Sequence, residues 1–405
     1  MKRDAMADDC EEVLPLLSVV QSADADDLEL ARLALEDFFA LIGSGLFRSD
    51  SAGRMPQGVM EITAWLASTA SAPDLDDVDW SGPFHPGSVV WPAVIATAMS
   101  CESSGNRILQ AGVSGYRVAK AAAVVLGTEH AGKWHLTATA GTLGAAVGSA
   151  VVRDTSPEVT ARCLSLATLS LGGLGQAPLE RRGAARFTRA AAAVQGVLSA
   201  TMATNGVPAA VQPWSGAKGV QNVLKAGNME VPPRVDPWSD LGFRYYPVNG
   251  FVQAAVHTTA ELASTVGEPI DELVWELPEG VLPLLSSPDH GDWWNARLAA
   301  ARSLAATAPW SIGDSGPLDA HVDQVQLVAA DVALGAARVR ARTVSGDLRC
   351  EAPRRLIRDD LADATLLHAK WVNVLGVDAE AVSGLVDDLL DGNHETRTVI
   401  EALSR

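Results

Sequence analysis

Residues 134–148 read WHLTATAGTLGAAVG, and the second half of this stretch decides the fold. Its small residues at helical spacing are Gly141, Gly144, Ala145 and Gly148. A helix that begins near residue 141 would present one face of nearly bare backbone, which a second helix can approach closely. The sequence predicts that the residues ahead of this helix form a short polar loop, which holds His135 against the helix inside a packed helical body.

A second histidine precedes this stretch, where residues 84–92 read FHPGSVVWP. Histidine titrates near neutral pH, so two positioned histidines can move protons in both directions. We therefore predict that His85 and His135 share one cleft and act as an acid–base pair. The same residues leave a second interpretation open, in which either histidine is a buried, hydrogen-bonded part of the core.

Length and composition limit the possible classes of fold and partner. The chain has 405 residues, enough for one large and one small domain, and only 3 Tyr and 7 Phe against 35 Gly. Small side chains favour close helix packing over an aromatic-rich β-sandwich. The net charge of -18 repels phosphates and therefore argues against a nucleic-acid partner. It also means that an anionic substrate requires a local cationic pocket.

The sequence indicates neither a metal site nor a membrane span. The four cysteines form no C-x-x-C pair, and no H-x-x-x-H or E-x-x-H spacing occurs. No apolar run reaches the length of a membrane helix, and the N-terminus leads into acidic residues rather than an apolar segment. We therefore predict a soluble, cytoplasmic protein without metal, organic cofactor or membrane contact.

Helical patterns dominate the first half of the chain. Apolar stripes predict helices at residues 28–42 and 56–70 and a series of helices over 88–206. Residues 207–242 carry five prolines and are predicted to form a long connector. The last segment, 359–405, returns to helical patterns.

The pattern changes near Phe243. Residues 274–277 and 338–344 alternate in the manner of strands, whereas 292–307 and 319–335 have helical patterns. This mixture is typical of a small α+β domain.

These patterns together predict a mainly α protein. A large all-α helical domain comprises residues 1–242 plus 357–405, and a smaller inserted α+β lid domain comprises 243–356. We expect the cleft with the two histidines to lie between this helical body and the lid.

Four motifs, in this order and spacing, resemble the MmgE/PrpD family: residues 85–92, the small-residue helix at 112–116, His135, and the helix at 141–146. That family includes 2-methylcitrate dehydratases, cis-aconitate decarboxylases and iminodisuccinate epimerases. The resemblance runs from about Asp74 to Gly335. It implies a homodimer that acts as a lyase or isomerase.

The resemblance also implies roles for acidic and histidine residues. In the family, the matching histidines line the active site, and one moves a proton to or from a carbon next to a carboxylate. Residues 74–77, Asp-Leu-Asp-Asp, resemble a D-x-D-D motif that contributes an aspartate to the site. Asp74 is the first candidate, as a catalytic residue, and Asp77 is the second, as a substrate ligand. The alternative is a solvated acidic turn.

Two arginines stand in or beside positions where the family has lysines. Residues 181–189 read RRGAARFTR, where Ala185 falls at the family's lysine position and Arg186 lies beside it. Arg244, within the sequence FRYYP, replaces another lysine. Arginine binds carboxylates bidentately but does not readily act as an acid or base. Arg186 and Arg244 are therefore predicted to neutralise substrate carboxylates; the alternatives are a solvated turn and a hinge.

Gln326 stands where the family commonly has a tyrosine near the substrate. Glutamine can form hydrogen bonds with a substrate, but it cannot ionise. Val78 likewise replaces a threonine that often follows the acidic motif. These departures and the missing lysine indicate a divergent member rather than a plain 2-methylcitrate dehydratase or cis-aconitate decarboxylase.

The predicted function is a cofactor-independent lyase or isomerase for a small carboxylate-bearing metabolite, in specialised biosynthesis. It would abstract a proton α to a carboxylate or carbonyl, with dehydration, decarboxylation, epimerisation and cyclisation all open. The alternative is a non-catalytic relative that binds a ligand or partner. The presence of both histidines favours the enzyme, and the absence of the family's lysine favours the non-catalytic relative.

Overall fold

The computed structural model describes residues 8–44, 56–101, 103–180, 183–285, 294–305, 322–351, 355–356, 364–392 and 398. The chain divides into two compact units, Met1–Asp240 with Val377–Arg405, and Leu241–Gly376. Its secondary structure is mostly helical with small sheets, which confirms the prediction of a mainly helical chain. Among the described helices, none combines the length and apolar character needed to cross a membrane.

Helices make up most of the first unit. They are α1 Leu14–Leu17, α2 Ala25–Gly43, α3 Val59–Ala70, α4 Gly87–Cys101, α5 Gly105–Ala131, α6 Leu136–Val152, α7 Pro157–Thr168, α8 Gln176–Leu179, α9 Ala185–Thr204, α10 Val220–Val223 and α15 Ala379–Leu390. A 3-10 helix at Asp8–Val13 and a two-residue strand, β1 at Val78–Asp79, complete its described elements.

Helix α6 is the centre of this unit. Every residue of α6 except Val151 is buried. A Cβ atom on Gly144 would lie 2.5 Å from the carbonyl oxygen of Gly115 in α5, so the two backbones are in direct contact. A Cβ atom on Gly148 would lie 2.8 Å from Val94 of α4. The close approach predicted from the small-residue face is confirmed.

The start of α6 differs from the sequence-based expectation of a helix from about residue 141. The helix begins at Leu136, and His135 is its extended N-cap residue, with φ -75° and ψ 98°. Thr137 and Thr139, in this first turn, are buried. One turn later, Thr142 Oγ1 donates to the Ala138 carbonyl within the helix at 2.8 Å. Buried β-branched residues are compatible with a helix when their hydroxyl groups bond to its own carbonyls.

The second unit is built around a four-stranded sheet. The strands of this sheet are β3 Ile270–Pro278, β4 Val325–Ala330, β5 Arg338–Thr343 and β6 Leu348–Cys350, in the order β4-β3-β5-β6. The short strand β2, Leu241–Gly242, lies outside this sheet. The helices of the unit are α11 Gln253–Val266, α12 Leu282–Leu285, α13 Ala296–Ala305 and α14 Ala364–Lys370, with a 3-10 turn at Gly250–Val252 and a π-helical turn at Trp371–Leu375. Strands β3 and β5 are antiparallel, as are β5 and β6.

Strand β4 corrects the helix expected at residues 319–335. Within 319–335 the structure describes the residues from 322 onward. These contain the strand Val325–Ala330, which pairs in parallel with β3. Val325 lies opposite Leu273, and Gln326 lies opposite Val274. The run VQLVAA carries helix-forming residues, but ladder bonds to a distant strand outweigh that local preference. The strands predicted at 274–277 and 338–344 are confirmed within β3 and β5.

Candidate active site

His135 is held at the N-terminus of α6 by contacts from the segment before α8. Its backbone N–H donates to the carbonyl of Gly173 at 2.8 Å. Gly173 has φ +108°, and a Cβ atom there would lie 2.7 Å from the Cβ of Ala138. A side chain at this position would meet both backbone strain and a steric clash. Gly173 therefore fixes the backbone of His135.

The ring of His135 is bound by α9. Its Nδ1 lies 2.7 Å from Oγ1 of Thr188, and this hydroxyl donates its own hydrogen to the carbonyl of Ala185 at 2.9 Å. A hydroxyl has one hydrogen, so when Thr188 donates it to Ala185, Oγ1 accepts from His135 and Nδ1 carries the proton. In the neutral ring Nε2 is then the basic nitrogen.

His135 is uncharged at neutral pH. Its pKa is lowered to about 3, chiefly by burial and then by the charges of Arg189 and His85, against an opposing effect of Asp76. The N-terminus of α6 also lowers the pKa of His135, because a helix N-terminus disfavours positive charge. Only 7% of the residue is exposed.

His85 lies in the same cluster and is oriented by backbone groups. Its Nδ1 lies 2.7 Å from the carbonyl oxygen of Asp77, so Nδ1 of this ring also carries a hydrogen. Its backbone N–H donates to Oγ1 of Thr137, two residues after His135, at 3.1 Å. The two histidines thus flank one turn of α6, and 18% of the His85 side chain is exposed.

A buried ion pair connects the surroundings of the two histidines. Nη1 of Arg189 lies 2.8 Å from Oδ2 of Asp76, and both side chains are almost fully buried. The same carboxylate oxygen lies 3.7 Å from Nδ1 of His85. His85 therefore has a carboxylate as a close charged neighbour, whereas Arg189 is the stronger charged influence on His135.

Asp77 directs its carboxyl group into the protein. Oδ2 accepts from the hydroxyl of Tyr116 at 2.6 Å, and Oδ1 accepts from the backbone N–H of Gly87 at 2.9 Å. Burial raises its pKa to about 7, although both hydrogen bonds oppose the shift. A Cβ atom on Gly87 would lie 2.6 Å from the Tyr116 hydroxyl, so this position requires glycine. Asp77 contacts the cluster through its carbonyl oxygen, which binds His85.

Two other predicted residues of the first unit, Asp74 and Arg186, lie close in sequence to members of the cluster. Asp74 is partly buried and has φ +53°, and its backbone N–H donates to the carbonyl of Ser71 at 3.3 Å. Arg186 is exposed, and its Nη2 donates to the carbonyl of Ala72 at 3.1 Å. The buried cation in the cluster is Arg189, one turn further along α9.

The remaining predicted residues, Arg244 and Gln326, belong to the second unit. Arg244 is buried, with 3% of the residue exposed. Gln326 is exposed on β4, and its Nε2 donates to Oε1 of Glu272 at 2.9 Å.

Sequence reasoning did not single out Asp76, Thr188 or Arg189. Asp76 was within the quoted acidic motif, and the other two were within residues 181–189, of which 181–182 lie outside the described residues. A signal was available, because Arg189 precedes Ala193 by four residues and Gly196 by seven. This is the spacing of one helix face, and that face of α9 is buried.

His130 illustrates the core-histidine alternative. It is fully buried, its Nδ1 lies 2.9 Å from the carbonyl oxygen of Leu224, and its Nε2 lies 2.9 Å from Oγ1 of Thr139. Both ring nitrogens are therefore engaged in the core. For His135, by contrast, the described residues provide a hydrogen bond to Nδ1 only.

The described residues contain no group of three or more His, Cys, Asp or Glu side chains arranged to hold a metal ion. Residues 54–231 match the family model of the MmgE/PrpD N-terminal domain. No curated protein matches the chain. The matched range contains both histidines and the Asp76–Arg189 pair, so the whole cluster lies within this family domain.

Proposed function

We propose a proton-transfer function for this chain, which belongs to the MmgE/PrpD family through the domain at residues 54–231. The proposed enzyme is a cofactor-independent lyase or isomerase that abstracts a proton α to a carboxylate or carbonyl of a small carboxylate-bearing metabolite. The observation that carries the proposal is the neutral ring of His135, which is bonded through Nδ1 and has Nε2 as its basic nitrogen.

His135 is the proposed general base. It is unprotonated at neutral pH, as a base must be before it accepts a proton. A pKa of about 3 makes it a weak acceptor in the absence of substrate. A bound carboxylate next to the ring would favour the imidazolium form and so raise this pKa. The base therefore becomes effective when an anionic substrate is present.

His85 is the proposed partner acid. The Asp76 carboxylate oxygen lies 3.7 Å from its Nδ1 and places a negative charge beside this ring. In the first step, the electron pair of the C–H bond stays on carbon as an enolate, and the proton moves to His135. In a dehydration, the enolate electron pair forms the C=C bond while the C–O bond breaks, and the leaving hydroxide takes a proton from His85 to form water. In an epimerisation, His85 instead donates its proton to the other face of the carbon.

The proposal keeps the remaining residues in supporting roles. Arg186 and Arg244 bind substrate carboxylates, Gln326 forms a hydrogen bond with the substrate, and Asp74 orients a histidine or a substrate hydroxyl. Asp77 acts through its carbonyl oxygen on His85. The family resemblance supports a homodimer, which light scattering tests by asking whether the particle has twice the mass of the chain.

Deuterium exchange tests the proposed function whichever reaction follows the abstraction of the proton. The full-length protein is incubated in D₂O with a panel of succinate, malate, citrate and cis-aconitate, and label at the α-carbon is followed by NMR. We expect label with at least one compound, and a loss of about 10²-fold or more per folded molecule in His135→Gln.

His130→Gln is the matched control for this experiment. It removes a histidine whose two nitrogens are bonded within the core, so we expect a lower melting temperature but near-normal exchange per folded molecule. Equal exchange by wild type and His135→Gln would refute the role of His135.

A non-catalytic relative that binds a ligand is the second candidate. Ala185, at the family's lysine position, and Gln326, at the tyrosine position, favour it because neither side chain can transfer a proton. Binding of a panel compound without any exchange of label would support this candidate over the enzyme.

A further inference from the structure

We propose that Thr188 is the positioning residue of His135, and that its hydroxyl determines which ring nitrogen carries the proton. This inference rests on the proposed proton-transfer function, because a base at His135 requires Nε2 to be the unprotonated nitrogen. It adds to that function a residue in α9 that acts on the substrate only through the imidazole.

The hydrogen-bond geometry gives the direction of each bond. Thr188 Oγ1 lies 2.9 Å from the Ala185 carbonyl, which can only accept, and we assign the single hydroxyl hydrogen to this bond. Oγ1 then offers lone pairs to His135 Nδ1 at 2.7 Å. A threonine hydroxyl that bonds to a carbonyl three residues earlier is a common helical arrangement, and it restricts the side chain to one rotamer.

Backbone groups hold both residues of the Thr188–His135 bond in place. Ala185 is the first residue of α9, and Thr188 lies one turn later. The backbone of His135, the other partner, is held by the hydrogen bond from its N–H to the carbonyl of Gly173. Both partners of the Nδ1 bond are therefore held by backbone contacts that do not depend on a substrate.

Loss of the acceptor would have a defined chemical consequence. In a free histidine side chain the Nε2–H tautomer is the more populated neutral form, so the bond to Thr188 selects the other one. Without this bond, part of the population would carry hydrogen on Nε2 and could not accept a proton there. Acceptors that orient metal-binding histidines through the second nitrogen typically change metal affinity or activity by about 10–100-fold when removed, and we take this as the scale for Thr188.

The test compares Thr188→Val, which keeps the shape but removes the acceptor, with Thr188→Ser, which keeps the hydroxyl. The tautomer of His135 is measured by ¹⁵N NMR of the full-length protein labelled at histidine, with His135→Gln to assign the resonances. We expect the Nδ1–H tautomer in wild type and Thr188→Ser, and a mixture or the Nε2–H form in Thr188→Val. Thermal melting checks that each variant is folded.

Exchange of the panel compounds provides the second readout. Thr188→Val should lower the maximal rate by about 10–100-fold per folded molecule with little change in KM, and Thr188→Ser should restore it. A purely structural role would change melting alone. An unchanged tautomer in Thr188→Val overturns the inference, as does a changed tautomer with an unchanged rate. If wild type exchanges nothing, the proposed function fails, while the NMR result still decides the role of Thr188.

Discussion

Arg189 and Asp76 give the two histidines different electrostatic neighbours. Arg189 is the larger charged contributor that lowers the pKa of His135, and Asp76 acts against it. We expect Arg189→Gln to raise the pKa of His135, because the lowering charge is lost while the raising charge remains. The measurement is a ¹⁵N NMR titration of His135, with the acid limb of any exchange activity as a second readout.

A second variant is the control for Arg189→Gln. Arg189→Gln removes one member of the buried Arg189–Asp76 ion pair, which typically costs about 3–5 kcal/mol of stability. The double variant Arg189→Gln, Asp76→Asn removes both charges and should recover much of that loss. Its His135 pKa should still lie above the wild-type value, because Arg189 outweighs Asp76. A pKa that stays near 3 in both variants would contradict this assignment.

Asp77 makes stability depend on pH in a specific window. Its pKa rises from an ordinary 3.8 to about 7 in the folded chain, so the folded state holds a proton that the unfolded state has released. This contribution is fully present below about pH 4 and is lost as the pH rises towards 7. Asp77→Asn resembles the protonated form, and it should flatten the fall in stability over this window.

The quantity to measure is the difference in the free energy of unfolding between wild type and Asp77→Asn at each pH. The lowered pKa of His135 acts with the opposite sign, because the unfolded state binds more protons between about 3 and 6.5, so stability rises there with pH. The wild-type curve alone would mix the two effects. Urea unfolding of wild type and Asp77→Asn at several pH values isolates the Asp77 contribution. If the two curves of stability against pH ran parallel, Asp77 would not contribute to the pH dependence.

At the level of elements, the contact between α5 and α6 depends on two glycines. A Cβ atom on Gly144 would lie 2.5 Å from the Gly115 carbonyl and 2.8 Å from Ala119. Gly144→Ala should therefore destabilise the fold by about 1–3 kcal/mol, since backbone must move to admit one methyl group. Chemical denaturation gives the free energy of unfolding directly.

Gly384 provides the control for this prediction. It lies within α15, is not in the buried face, and would have nothing within 4 Å of an added Cβ atom. Gly384→Ala should stabilise by about 0.5–1 kcal/mol through the lower helical propensity of glycine. If both substitutions changed stability alike, the close contact between the helices would not explain the effect of Gly144→Ala.

The same elements show what the sequence could and could not reveal. The small-residue face of α6 was readable because its period is local, and the close approach of α5 followed from it. Strand β4 was misassigned because its run suits a helix, and only pairing with β3, some fifty residues earlier, favours the strand. At the site, both histidines were found from the short motifs around them, whereas Arg189 could be found only from its helical spacing to Ala193 and Gly196 on one face of α9.

At the scale of the whole molecule, the dominant electrostatic feature is the net charge of -18. Like charges on a folded chain repel, and this repulsion is relieved by unfolding and screened by salt. The buried pair Arg189–Asp76 and the nearly buried pair Arg117–Asp27 are screened much less, because they are shielded from solvent. Salt should therefore weaken the repulsion more than it weakens these attractions.

We expect the melting temperature at about pH 8 to rise as NaCl increases from about 10 mM to about 300 mM, a range over which the screening length falls several-fold. The control is the same series near pH 5, close to the sequence pI of 4.8, where the net charge and hence the repulsion nearly vanish. There the rise should shrink or disappear. A melting temperature that falls with salt at pH 8 would mean that attractive surface pairs outweigh the repulsion. An equal rise at both pH values would point to a general effect of salt on apolar burial, which does not depend on the charge of the chain.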